Sequence, residues 1–235
     1  MSSSPAVGRW AYTFEIMFSK IFPAGAGWQL ASTAVDFDPS TADFAIITGL
    51  GDATGVVLGH TAYKTIQRVV APWHVPSMKE ELGVAAWLGG AAFCAGTAWQ
   101  PIVNVVEAPF AITAAATGIG CALAFFGGLR AGRVVFPWIP NGTTTNSWQD
   151  FGLAMSIGGA TGAFVSTDAA FVTDPTYPTI APTILASDPV STQCIKAGTS
   201  TFVGFGALGV AQNVLCSPGG HWMDRNNPYA IPLKA

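Results

Sequence analysis

The sequence predicts an all-α integral membrane protein with about five transmembrane helices. Half of the 235 residues are hydrophobic and the mean hydropathy is +0.43. Only 10% of the residues are charged, whereas soluble domains carry about 25%. The 27 glycines favour helices that pack closely together in lipid. Apolar stretches of about 20 residues, the length that crosses a bilayer, recur along the chain.

Charge and motif content exclude several other classes of protein. The net charge of −3 and the lack of a basic cluster argue against a nucleic-acid-binding protein. The four cysteines show no metal-ligand spacing. We find no nucleophile–base pair, phosphate-binding loop or zinc motif, so we expect neither an enzyme nor a metal site.

The chain divides into an N-terminal segment (1–42), a single transmembrane helical domain (43–216) and a C-terminal tail (217–235). In the first segment, aromatic and aliphatic residues at helical spacing in 8–22 are interrupted by Arg9, Glu15 and Lys20. This stretch is too short and too charged to span a membrane, so we expect a helix that lies at the interface.

Five segments have the length and apolarity of a span: 44–66, 82–104, 108–130, 151–172 and 196–216. Proline-containing turns separate them, of which the longest is 173–189, with four prolines. If the spans alternate in direction, seven of the ten Lys and Arg residues share one side and three lie on the other. The positive-inside rule then places the N-terminus outside and the C-terminus inside.

A repeated motif opens the first and fourth spans. The stretches DFAIITGLGDATGVV (43–57) and DFGLAMSIGGATGAF (150–164) are identical at six of fifteen positions. Three spans separate the starts of the two copies, so the copies would cross in opposite directions. This arrangement predicts an inverted-topology repeat of 43–106 and 150–216. A shared packing requirement is the alternative, because the matches are mostly small residues.

Glycines recur at four-residue intervals in the first, third and fourth spans. Such small-residue stripes allow helix backbones to approach closely. We therefore assign to helix packing Gly51, Gly55, Gly59, Gly120, Gly128, Gly158 and Gly162.

Asp52 is the strongest candidate for a functional polar residue. It lies about eight residues, or about 12 Å, into its span. A charge at this depth costs several kcal/mol, so the residue is either a proton or cation site or a hydrogen-bonded link between two helices. A third alternative is that the helix unwinds here and Asp52 caps its second half. Thr54 is the neighbouring polar candidate.

Other polar candidates lie near the ends of spans. His60 could ligate a metal or the magnesium of chlorophyll, although a lone histidine is more often hydrogen-bonded. Gln100 and Asn104 are four residues apart and could line a polar seam between helices. Asp168 lies near the outer end of the fourth span.

These features favour a non-catalytic accessory subunit of a large membrane assembly, such as a respiratory or photosynthetic complex. The partners would be other membrane subunits and the bilayer, in a mitochondrial inner membrane or a thylakoid. Bound lipid is expected and chlorophyll is a candidate cofactor. The alternative is a small ion or proton channel or carrier, built on the repeat, with Asp52 at its centre.

Overall fold

The computed structural model describes residues 10, 13–70, 78–106, 110–135, 147–159, 162, 185 and 187–215, and six helices lie within these ranges. No strand occurs in these ranges. The helices are α1 (13–34), α2 (Ala42–Val70), α3 (Met78–Val105), α4 (Phe110–Val135), α5 (147–159) and α6 (Val190–Leu215). Helix α1 contains a π-helical turn at Met17–Ile21, and α5 ends in another at Met155–Gly159.

Among the described residues, three helices are long and apolar enough to cross a membrane: Ala42–Val70, Glu81–Val105 and Ala111–Val135. They correspond to the first three predicted spans. The fourth predicted span, 151–172, is described only to residue 159 and at residue 162. The fifth forms α6, which is not among the three. The described part of the chain is therefore all-helical with three potential membrane spans, and the number five stays a prediction.

Helices α2 to α5 pack against one another as antiparallel neighbours. Gly49 near the start of α2 faces Thr97 near the end of α3. The Trp87 Nε1–H of α3 donates to the Leu129 carbonyl of α4 at 2.8 Å. Gly158 of α5 approaches the Cys121 carbonyl of α4. Successive helices thus alternate in direction, so α2 and α5, which begin with the two copies of the repeated motif, run in opposite directions.

Helix α1 differs from the interfacial helix expected for 8–22, because it continues to Ala34 and lies alongside α2. The carbonyl of Ser19 packs on Gly59, that of Pro23 on Gly55, and that of Gly27 on Gly51. As the residue numbers rise in α1 they fall in α2, so the two helices are antiparallel. Pro23 does not end the helix, since it follows the π-helical turn and stands at the beginning of the α-helical part.

Helix α6 closes the bundle by packing on the other side of α1. The Thr201 hydroxyl donates to the Ile21 carbonyl at 3.0 Å, and the Gln29 amide donates to the Gln193 side chain at 3.0 Å. Between these two contacts the residue numbers rise in α1 and fall in α6, so these two helices are also antiparallel. Helices α1 and α6 are therefore direct neighbours.

All six helices contribute to one apolar core, whose largest fully buried side chains include Phe205 and Leu129. Many other large apolar side chains point outward, such as Phe18, Leu58 and Val69, which are 60%, 64% and 81% exposed. Small residues at the contacts between helices and large apolar residues on the outer surface are the arrangement expected for helices surrounded by lipid.

Candidate functional site

Five ionisable side chains are buried together where α1, α2 and α3 meet. They are Glu15 and Lys20 of α1, His60 and Lys64 of α2, and Glu81 of α3, and none is more than 7% exposed. We call this set the charged cluster. Lys64 Nζ lies 2.8 Å from Glu15 Oε1, and His60 Nε2 lies 2.6 Å from Glu81 Oε2. Lys20 Nζ is 3.9 Å from the same Glu15 oxygen.

Helix geometry explains how the sequence assembles this cluster. His60 and Lys64 are four residues apart and so share one face of α2. Glu15 and Lys20 are five apart, which in an α-helix would point them about 140° from each other. The π-helical turn Met17–Ile21, with its i→i+5 hydrogen bonds, instead brings them to the same side.

The charges of the cluster balance when His60 is neutral, because two carboxylates then face two ammonium groups. Buried charges are tolerated only when they are paired and hydrogen-bonded. Lys20 also donates to the Ser19 hydroxyl and Lys64 to the Gln67 side chain, both at 3.0 Å. His60 Nδ1 is buried and has no hydrogen-bond partner among the described residues.

A second ionic group lies at the same end of the bundle, where α4 ends and α5 begins. Asp150, 2% exposed, accepts hydrogen bonds from Arg133 at 2.8 Å and from Arg130 at 3.2 Å. The Arg133 guanidinium also lies over the Trp87 ring, 4.9 Å from its centroid. Asp43, at the corresponding position of the first repeat copy, is exposed. The two aspartates of the repeated motif therefore have different surroundings.

The opposite end of the bundle carries a single lysine among the described residues. Lys196 Nζ lies 2.6 Å from Asp188 Oδ2. This hydrogen bond is the main cause that lowers the pKa of Asp188. The positive charge at that end is therefore neutralised by a neighbouring carboxylate.

Asp52 is separate from both ionic groups. Its partly buried side chain packs against Gly96 of α3, where a side chain larger than hydrogen would collide with the carboxylate. Across the described ranges no donor or cation pairs with it. His60 lies eight residues further along α2, about 12 Å away, and the buried Val56 stands between them.

The remaining predicted site residues lie apart from Asp52. Thr54 is exposed. The Gln100 amide donates to Asn104, whose own amide donates to the Pro39 carbonyl, both at 2.9 Å; they link α3 to the loop before α2. Asp168 is outside the described residues.

The glycines assigned to packing all lie at close contacts with other helices. Gly51, Gly55 and Gly59 meet the backbone of α1, as described above. A side chain at Gly120 would meet Ile102, and one at Gly128 would meet the backbone of Ala91. Gly158 and Gly162 both face Cys121.

No protein-family model, curated protein or solved structure matches the chain. The site must therefore be interpreted from its own geometry. Within the described ranges, no three His, Cys, Asp or Glu side chains are placed to hold a metal ion.

Sequence reasoning missed the charged cluster because it treated Glu15 and Lys20 as marks of an interfacial helix. The sequence feature that could have predicted the cluster is the presence of both acidic and basic residues in otherwise apolar helices. Oppositely charged side chains in three separate apolar segments are expected to form ion pairs, since an isolated charged side chain in lipid is energetically costly.

Proposed function

We propose that the chain is a non-catalytic, multi-pass subunit of a larger membrane assembly in an organellar energy-transducing membrane. The observation that supports a structural role is the pairing of the ionisable side chains. Glu15 with Lys64, and Asp150 with Arg130 and Arg133, compensate one another across helices. Such pairs hold helices together, and the paired charges are not available to attract a transported ion.

The distribution of polar groups along the bundle also favours this role over a channel. The charged cluster is at one end, and Asp52 is separated from it by the core residue Val56. On the other side of Asp52, Trp28 packs edge-on against Trp99 with ring centroids 5.2 Å apart. Apolar layers on both sides of a lone carboxylate do not form a continuous polar path.

The second candidate function, a proton or cation carrier, is favoured by Asp52 itself. A carboxylate inside an apolar bundle with no partner among the described residues is the expected feature of a site that takes up a proton or cation. This function would require the bundle to open on alternate sides of Asp52.

We also propose six crossings with both termini on the same side. Helix α1 is 22 residues long, about 33 Å, which is enough to cross a bilayer. Because it is antiparallel to α2 and α6, its first residues lie at the end where α2 and α6 finish. With α1 as a span, nine of the ten Lys and Arg residues fall on one side, all except Lys196. This bias is stronger than the seven to three obtained with five spans.

The size of the particle that contains this chain after extraction in mild detergent tests the subunit proposal. We expect the 24.3 kDa chain, tagged and extracted from its own membranes, to migrate on native gels with a complex several times its mass and to co-purify with defined membrane proteins. Migration as a monomer or homodimer would refute the proposal. Organelle fractionation of the same cells tests the location.

Measurements of proton or cation flux in vesicles distinguish a carrier from a structural subunit. Asp52→Asn keeps the shape of the side chain and removes its titratable proton. For a subunit, the variant complex should form in normal yield and the purified chain in vesicles should show no flux. A proton or cation flux in vesicles that Asp52→Asn abolishes would instead establish the carrier.

A further inference from the structure

Two polar groups of the charged cluster keep unused hydrogen-bonding capacity inside the bundle. His60 is 2% exposed, and its Nε2 is engaged by Glu81 at 2.6 Å. Since Glu81 as a carboxylate can only accept, Nε2 carries the proton and Nδ1 presents a lone pair. This Nδ1 has no partner within the described ranges, and an unsatisfied buried acceptor costs about 1–3 kcal/mol.

Lys20 has the complementary excess of donors. Its ammonium group carries three N–H bonds. In the described part of the chain its partners are Ser19 Oγ at 3.0 Å and the more distant Glu15 carboxylate at 3.9 Å. The residue is 7% exposed, so bulk water does not readily supply the missing acceptors.

Backbone contacts and ion pairs place Lys20 and His60 in the same buried cluster. The carbonyl oxygen of Ser19 packs directly on Gly59, where an added Cβ would lie 2.6 Å from it. Lys20 Nζ lies 3.9 Å from Glu15 Oε1. The same oxygen lies 2.8 Å from Nζ of Lys64, which is one helical turn from His60 on α2. Lys20, whose ammonium group has too few acceptors, and His60 Nδ1, which has no donor among the described residues, therefore belong to the same buried cluster.

We propose that the charged cluster contains a binding site for one internal water molecule between Lys20 and His60. The water accepts a hydrogen bond from Lys20 Nζ–H and donates one to His60 Nδ1. A buried water needs two to four polar partners, and these two side chains supply both kinds. The other charged groups facing the site are Glu15, Lys64 and Glu81.

The water joins the cluster into one network that crosses three helices. The chain of hydrogen bonds runs from Lys20 of α1 through the water to His60 of α2, and through Nε2–H to Glu81 of α3. The network holds His60 as the neutral Nε2–H tautomer, which is also the state in which the cluster charges balance.

Nitrogen NMR of His60 tests this proposal directly. The full chain has three histidines, so His74→Gln and His221→Gln together leave His60 alone, without changing the cluster. The protein, labelled with ¹⁵N-histidine and embedded in bilayers, should show one protonated and one unprotonated ring nitrogen. The unprotonated Nδ1 should have the chemical shift of a hydrogen-bond acceptor and should receive magnetisation from water protons.

Lys20→Met removes the proposed donor while keeping most of the side-chain volume. In this variant the Nδ1 signal should move toward the value of a free lone pair. Three results would overturn the proposal: a free Nδ1 in the chain with Lys20, a doubly protonated imidazolium ring, or an unchanged Nδ1 shift in Lys20→Met. The first two need no cluster variant, so the test does not depend on whether Lys20→Met folds.

Discussion

Replacing Gly55 by alanine tests the placement of α1 against α2 with a single methyl group. A Cβ at Gly55 would meet the carbonyl oxygen of Pro23, and would lie 2.6 Å from its carbonyl carbon and 3.0 Å from the Ala24 nitrogen. All three atoms belong to the α1 backbone and cannot rotate away. The helices would have to separate for the methyl group to fit.

Gly90→Ala is the matched control, because nothing lies within 4 Å of a Cβ at Gly90. Both glycines are inside helices, where Gly→Ala alone is stabilising by about 0.5–1 kcal/mol. That contribution is common to both variants and cancels in their comparison. The difference between their free energies of unfolding should therefore equal the overpacking cost, about 1–3 kcal/mol, with Gly55→Ala the less stable.

Reversible unfolding in mixed micelles of increasing SDS content, followed by tryptophan fluorescence, measures this difference. The Gly90→Ala midpoint should equal or exceed that of the unmodified chain, and the Gly55→Ala midpoint should fall below it. If both variants unfold at the same SDS content, α1 does not pack on α2 at Gly55. The antiparallel placement of α1, and with it the six-crossing proposal, would then be wrong.

Two further predictions concern the ends of the bundle. Asp150→Asn should lower the free energy of unfolding by roughly 2 kcal/mol, since it weakens the charge-assisted hydrogen bonds from two arginines whose side chains are partly exposed. Asp43→Asn, at the equivalent exposed position of the repeat, should lower the free energy of unfolding by only about 0.5 kcal/mol. If the two variants were equally destabilised in the same SDS titration, the different surroundings of the two aspartates would be contradicted. In sealed membrane vesicles of chains whose native cysteines are replaced, single cysteines at Ser3 and Lys234 should react with an impermeant maleimide from the same side. Labelling from opposite sides would restore the five-span topology.

The sequence predicted the apolar helices well because their signal is local. The spans expected at 44–66, 82–104 and 108–130 all lie within or nearly within α2, α3 and α4. Length and apolarity are properties of one segment, so neighbours are not needed to recognise them. The extent of α1 was not predictable in this way, since the charge of Glu15 is compensated by Lys64, 49 positions away in the chain.

The candidate site was less predictable for the same reason. Asp52 and His60 could be selected as unusual residues in apolar surroundings, but their different environments depend on other helices. His60 meets Glu81 across a helix contact, whereas Asp52 meets Gly96, which offers no side chain. A single sequence shows which residues need partners and does not show which partners they find.

The contact between α1 and α6 has a consequence for the synthesis of the chain on the ribosome. Ile21 accepts its hydrogen bond from Thr201, 180 residues later. At about 5–20 residues per second, a ribosome takes roughly 10–35 seconds to progress from α1 to the end of α6. Throughout this interval one side of α1 has no α6 to cover it. Nascent chains stalled or truncated before residue 190 should therefore present that side to insertion factors and quality-control proteases.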